Sequence, residues 1–238
     1  KALRQAAINA IAQAASQPLL LLAGPTGSGK TRLLTQLQAV DLEALANHRG
    51  SAFGRKLAAQ PSQISFENAL AANLLQVQST RPPFLLLEDE SLLIGQRNIP
   101  HSLYQAMQHS PLLLLEEPLT ARIEVILQDY IVDLYAEAVA TVGGQGFEVF
   151  SDMLRQGMAR IAKRLGGALY NELAAMLEQA LSTQQQTGDI SLHRLWIARL
   201  LSDYYDPMYQ YQLQKRGLPV LMRGNATVLK QWWQQQRG

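Results

Sequence analysis

Between Gly24 and Thr31 the chain reads "GPTGSGKT", an instance of Gly-x-x-x-x-Gly-Lys-Thr. This residue order suits one task. Gly24, Gly27 and Gly29, with Ser28 between the last two, allow backbone N–H groups to turn inward around a polyphosphate. Lys30 supplies a point charge and Thr31 a hydroxyl that can ligate magnesium. An apolar run, Leu19 to Ala23, precedes the turn, and a helix-like pattern with Leu33, Leu34 and Leu37 follows it. An accidental glycine turn would need neither flank. The motif specifies a phosphate and is silent on the reaction.

A phosphate site of this type needs a carboxylate to position the metal, and Asp89 in "LLLEDES" is the first candidate. Glu88 and Glu90 compete with it, because a one-residue error in the strand's end changes which carboxylate faces the loop. Asp41 follows a possible second strand and adds a further carboxylate. A solvated acidic turn is the plainer alternative. "NHRGSAFG" sets His48, Arg49 and Ser51 beside two glycines, a composition suited to anions, although basic loops are more often ordinary surface. Arg97 and Arg122 could neutralise a leaving diphosphate or could pair with neighbouring glutamates. "DYYDPMYQY" holds four tyrosines, among them Tyr204 and Tyr205, able to stack on bases or shape an apolar pocket. Core packing is the commoner role for them. His101, His109 and His193 have no spacing that suggests a metal site.

These residues need a scaffold, and the sequence describes one. Residues 2–15 have helical spacing, and residues 1–17 read as a linker helix ahead of a P-loop domain at 18–238. Leu19–Ala23, Phe84–Leu87 and Leu112–Leu115 are short apolar runs of the kind buried parallel strands show. The last two end in "EDES" and "EEP", which puts acids at the strand edge where open α/β sheets bind ligands. From about 123 to 210 the patterns are mainly helical and predict an insert, broken by "GGQG" and by a polar loop at "STQQQTGD"; "LHRLWIARLLSDYYDP" reads as a helix stopping before Pro207. "LPVLMRGNATVLKQWW" predicts a last strand, a turn and a final helix. The fold class is α/β, a P-loop NTPase-like parallel sheet flanked by helices.

Composition narrows the chemistry. With 238 residues, 47% hydrophobic and 17% charged, the chain suits a folded globular protein rather than a disordered one. It contains no cysteine, which removes disulfides, thiolate metal sites and a thiol nucleophile from its repertoire. A net charge of +2 and a pI near 8.9 permit an RNA partner without requiring one. Apolar runs fall short of the roughly 20 residues that a membrane span needs. The polar residues among the first 17 are unlike a secretion signal, so no membrane partner and a cytoplasmic location are expected.

In order along the chain, "GPTGSGKT", "VDLEALANHRGSAFG", "ISFENAL", "LLLEDESLLIGQRNIP" and "YYDPMYQYQLQK" resemble the tRNA 2-selenouridine synthase family from about Pro18 to Trp233. The resemblance implies modification of a tRNA wobble uridine, with geranyl diphosphate and selenophosphate as donors and the anticodon loop as partner. It implies 2-selenouridine formed from 2-thiouridine through an S-geranyl intermediate. It also implies a rhodanese-like domain, carrying the cysteine of selenium transfer, that is missing here. On that reading Lys30, Asp89 and Arg49 are catalytic. The loop residues with Arg97 and Arg122 bind the diphosphate, and Thr31 and Asp89 hold magnesium. His48, Arg49, Ser51, Arg97, Tyr204, Tyr205, Lys215 and Arg216 contact RNA, with Lys163 and Arg164 as further phosphate candidates. ATP or GTP could occupy the loop instead. A nucleoside or small-molecule kinase and a noncatalytic tRNA-binding module are the competing readings, and the oligomeric state stays open.

Overall fold

Strands made almost wholly of leucine must be covered on both faces, and the sheet answers to that requirement. The computed structural model describes residues 2–237. Four parallel strands lie in the order β2-β1-β5-β6: β1 (Leu19–Ala23), β2 (Leu85–Glu88), β5 (Leu112–Leu115) and β6 (Val220–Gly224). Leu19 pairs with Leu85 and Leu22 with Glu88, while Leu21 pairs with Leu112. Alternation along the strands sends Leu20, Leu22, Leu86, Leu113 and Leu115 to one face, where α2 (Lys30–Leu37) and α12 (Ala226–Arg237) cover them with Leu33, Leu34, Leu229 and Trp233. On the other side α1 (Ala2–Ala15) packs with α4 (Gln63–Ser79) and α5 (His101–Met107). Between α4 and α5 a small antiparallel hairpin pairs β3 (Leu93–Ile94) with β4 (Arg97–Asn98).

The chain forms two compact units. The sheet unit comprises residues up to Gly50, Ala58–Glu117 and Leu213 onward; the helical unit comprises Ser51–Leu57 and Pro118–Gln212. The helical unit contains α6 (Leu119–Leu127), α7 (Asp133–Val142), α8 (Gly146–Leu165), α9 (Gly167–Thr187), α10 (His193–Leu200) and most of α11 (Asp206–Arg216). Its core gathers Ile131, Phe150, Leu154, Leu173, Leu177, Trp196 and Ile197. Phe53 joins that core, its ring 5.8 Å from that of Trp196. Gly157 makes room for it, since a Cβ there would lie 2.4 Å from Phe53 Cδ1.

Four local expectations need correction. Val40 makes only an isolated bridge to Leu87 instead of a second strand. β2 runs one residue later than its apolar run suggests, through Glu88. The polar stretch "STQQQT" is the end of α9, because glutamine is a good helix former and Gln184 is buried there with a partner. Nor does the helix stop at Pro207: α10 passes through a π-helical turn, Leu201–Tyr205, into α11. That wider turn accommodates a residue with no N–H and a bulky ring.

Candidate phosphate-binding site

The loop begins where β1 ends, and its glycines are dictated by space. A Cβ on Gly24 would lie 2.8 Å from Ser28 Oγ and 2.9 Å from the carbonyl oxygen of Leu115, the last residue of the neighbouring strand. Gly27 and Gly29 take φ of 80° and 81°, a region that side-chain-bearing residues avoid. Gly29 faces open space and caps α2, whose first residue is Lys30. Lys30 Nζ donates to the carbonyl oxygen of Gly24 at 3.0 Å, so the ammonium group folds over the loop. Ser28 Oγ is buried without a hydrogen-bond partner among the described residues, a donor left over at the loop. Thr31 is exposed at the same helix start.

Beside the loop stand three carboxylates. Glu88 closes β2, Glu90 lies two residues on, and Glu43 comes from α3 (Leu42–Leu45), which Asp41 caps by accepting from the Ala44 amide at 2.8 Å. One oxygen from each of the three lies within 4.8 Å of the others. Glu88 is fully buried; its Oε2 accepts from the Glu43 amide at 3.1 Å and its Oε1 has no partner among the described residues. Burial, and next the negative charge of Glu90, push its carboxyl up to about 8, against the pull of Lys30. Glu43 is likewise raised well above the usual carboxylate range by burial and by Glu88 and Glu90, again opposed by Lys30. Carboxylates this crowded ionise together only beside a cation, and an orphaned buried oxygen among hard oxygen donors fits a divalent ion such as magnesium.

The segment after α3 is fitted to this cluster. A Cβ on Gly50, whose φ is +37°, would come within 2.2 Å of Glu43 Oε1 and 2.9 Å of Glu90 Oε1, so the loop lies directly against the acids there. Asn47 anchors the loop by donating to the carbonyls of Ala58 and Ala59. His48 and Arg49 are therefore held near the cluster, half-buried, and the His48 ring abuts Gly95 in the β3–β4 turn. Arg97, in β4, donates to Gln96 Oε1 at 3.3 Å.

Asp89 does not join the three glutamates. Because β2 extends to Glu88, period-two alternation puts Glu88 and Glu90 together and turns Asp89 to the other side. There both carboxylate oxygens accept from Nη1 of Arg216 at 2.8 Å. Arg216, expected on RNA phosphates, is thus held within the sheet unit, next to the exposed Lys215. Arg122, expected on the diphosphate, is buried in the helical unit and donates through Nη1 and Nη2 to Asp206. Ser51 also belongs to that unit, its hydroxyl 3.1 Å from that of Tyr130. Tyr204 and Tyr205 meet edge to face at 4.9 Å, and Tyr205 is buried with its hydroxyl pushed up by desolvation, which withholds its ring from a stacked base. Arg164 lies close enough to Tyr204 for the phenol to raise its guanidinium pKa, and Lys163 beside it is exposed. His193 lies in the helical core, between Trp196 and Gln184. Glu43 is the site residue that sequence reasoning missed; its only signal was its place inside "VDLEALANHRG".

A parallel sheet with a glycine loop running from its central strand into a helix defines a P-loop NTPase-like α/β protein. Residues 17–238 match the family model described as the tRNA 2-selenouridine synthase AAA domain. The chain is 46% identical over 235 residues to the tRNA 2-selenouridine synthase of Shewanella piezotolerans, and 47% identical over 235 residues to those of Shewanella loihica and Cupriavidus pinatubonensis. Each alignment covers 98% of this chain and 63–64% of the relative. The chain therefore belongs to the tRNA 2-selenouridine synthase family and spans about 64% of the length of these relatives. No solved structure matches it. Among the described residues, no helix is long and apolar enough to cross a membrane.

Proposed function

We propose that this chain is the diphosphate-handling part of a tRNA-modifying transferase. It moves a geranyl group from geranyl diphosphate to the sulfur of a wobble 2-thiouridine. Together with a cysteine-bearing rhodanese-like domain and selenophosphate, the whole protein then exchanges that sulfur for selenium. The observation that carries this reading is the loop itself, with Lys30 and the buried Ser28 hydroxyl placed for an anion beside three crowded carboxylates. Family membership supports a tRNA as the substrate.

In this reading the sulfur attacks the allylic carbon, the carbon–oxygen bond breaks, the electron pair leaves with the diphosphate, and the N3 proton of the thiouracil ring passes to the released diphosphate or to water. Negative charge grows on the leaving oxygens while the allylic carbon becomes positive. Lys30 turns from the Gly24 carbonyl to those oxygens, and the inward amides of the loop share the charge, at no reorganisation cost when they are already fixed. Glu43, Glu88 and Glu90 would hold a divalent ion, which contributes charge neutralisation on the diphosphate when bound. The sulfur is polarisable and needs no strong base, so position and charge are the protein's main contributions. Arg49, Lys163, Arg164 and Lys215 supply positive charge for RNA phosphates.

The test incubates the chain with magnesium, geranyl diphosphate and tRNA containing 2-thiouridine, then digests the RNA and weighs its nucleosides. Geranylated thiouridine is the expected product. Lys30→Ala should lower transfer by about a hundredfold or more with tRNA affinity little changed. Equal losses in both would refute the assigned role of Lys30. ATP turnover with small acceptors and no RNA product would favour the kinase instead.

A further inference from the structure

Arg216 meets Asp89 in a way that differs from other arginine–carboxylate pairs of this chain. Arg122 grips Asp206 with Nη1 and Nη2, and Arg155 and Arg194 grip Glu178 and Glu124 with Nε and Nη2. These are two-nitrogen forks. Arg216 instead reaches both oxygens of Asp89 with Nη1 alone, end-on, and its Nε and Nη2 are shielded from water with no acceptor among the described residues. The Nε–Nη2 edge is a fork that matches two oxygens of a phosphate, and leaving charged donors unsatisfied is costly.

The partner of Arg216 also lies close to the start of the loop. Asp89 donates its backbone N–H to the Leu22 carbonyl at 3.0 Å, two residues before the loop begins at Gly24. Asp89 follows β2 and Arg216 precedes β6, the two outer strands of the sheet. Outer strands of a four-stranded sheet are about 14 Å apart at the usual spacing. The pair consequently carries a guanidinium from the β6 side to the strand edge beside β1, where the phosphate loop starts. Lys30 is in the same condition, its ammonium resting on a loop carbonyl.

We propose that Arg216 is a phosphate-binding residue of this site, parked end-on against Asp89 until a diphosphate enters the loop and then turned fork-first onto its oxygens. The proposal rests on the loop holding a diphosphate. Asp89 is the competitor that the anion displaces, and not a ligand of the metal.

Calorimetric titration of the chain with inorganic pyrophosphate in magnesium buffer tests it, with thermal unfolding of each variant recorded alongside. Arg216→Ala should weaken pyrophosphate binding about tenfold or more, and Arg216→Lys, which keeps the charge and loses the fork, by an intermediate factor. Asp89→Asn should move the other way and tighten binding several-fold, because the arginine no longer has to leave a carboxylate. A pair that only holds structure makes Asp89→Asn and Arg216→Ala lose affinity together, and that result overturns the proposal. So does unchanged binding in both arginine variants while Lys30→Ala abolishes it, an outcome that spares the diphosphate reading. A wild-type chain that binds no pyrophosphate overturns both.

Discussion

Replacing Glu88 by Gln isolates the energetics of the acidic cluster. In the unfolded chain this carboxyl ionises near 4.5, and in the folded protein burial and Glu90 move it up to about 8. The folded state therefore binds the extra proton between those values. The stability this gives is fully present below pH 4.5 and is lost as pH rises through 8. At about 1.4 kcal/mol per pH unit the gap amounts to about 5 kcal/mol, and water entering the site as it ionises would trim this to about 3. Gln at this position cannot ionise, and its carbonyl can accept the Glu43 amide in place of Oε2. Urea unfolding of both proteins from pH 5 to 9, without divalent metal, should give similar stability at the acid end and a Glu88→Gln variant more stable by about 3–5 kcal/mol at pH 9. Magnesium should restore the wild type at high pH and do little for the variant. Parallel pH profiles would refute the argument, since they would mean that Glu88 ionises as freely in the fold as outside it.

The other predictions concern the helical unit. Trp196 Nε1 can only donate, so His193 Nδ1 accepts from it at 2.9 Å and Nε2 carries the proton toward Gln184 Oε1, also at 2.9 Å. Burial moves this histidine down from 6.5 to about 4, so the stability it contributes is present above 6.5 and lost as pH falls toward 4, by up to about 3 kcal/mol. His193→Gln made in the Glu88→Gln background should flatten unfolding curves in that window; unchanged steepness would argue against it. Asp206→Ala takes the two-point carboxylate partner from the buried Arg122 guanidinium and should lower stability by about 3 kcal/mol in denaturant unfolding, whereas Arg122→Met with Asp206→Leu should recover most of the loss.

Much of the sheet was legible because four-leucine runs have few other uses: Leu19–Ala23 and Leu112–Leu115 form strands with the bounds their sequence implies. The glycine loop was legible for a related reason, as its residue types are fixed by backbone geometry. What the sequence could not show were pairings across long separations. Asp89 and Glu88 are adjacent and chemically alike, and a one-residue difference in the end of β2 sends one to Arg216 and the other to Glu43. Arg122 and Arg216 look like free cations until their partners, 84 and 127 residues away, come into view. "STQQQT" looked like loop because its polarity hides the single buried glutamine that a histidine nine residues later requires.

Ser51–Leu57 belongs to the helical unit although both its neighbours in sequence belong to the sheet unit. The chain therefore crosses between units at four points, after Gly50, Leu57, Glu117 and Gln212. During synthesis the sheet unit cannot be finished until its last strand, β6, has left the ribosome, by which time the whole helical segment has already emerged. Phe53 is made long before Trp196, the ring it meets in the folded unit. For the same reason a fragment cut at Pro118 and Gln212 would lack Phe53 above Gly157 and expose apolar surface. Anyone seeking the helical unit alone would have to graft Ser51–Leu57 back onto it.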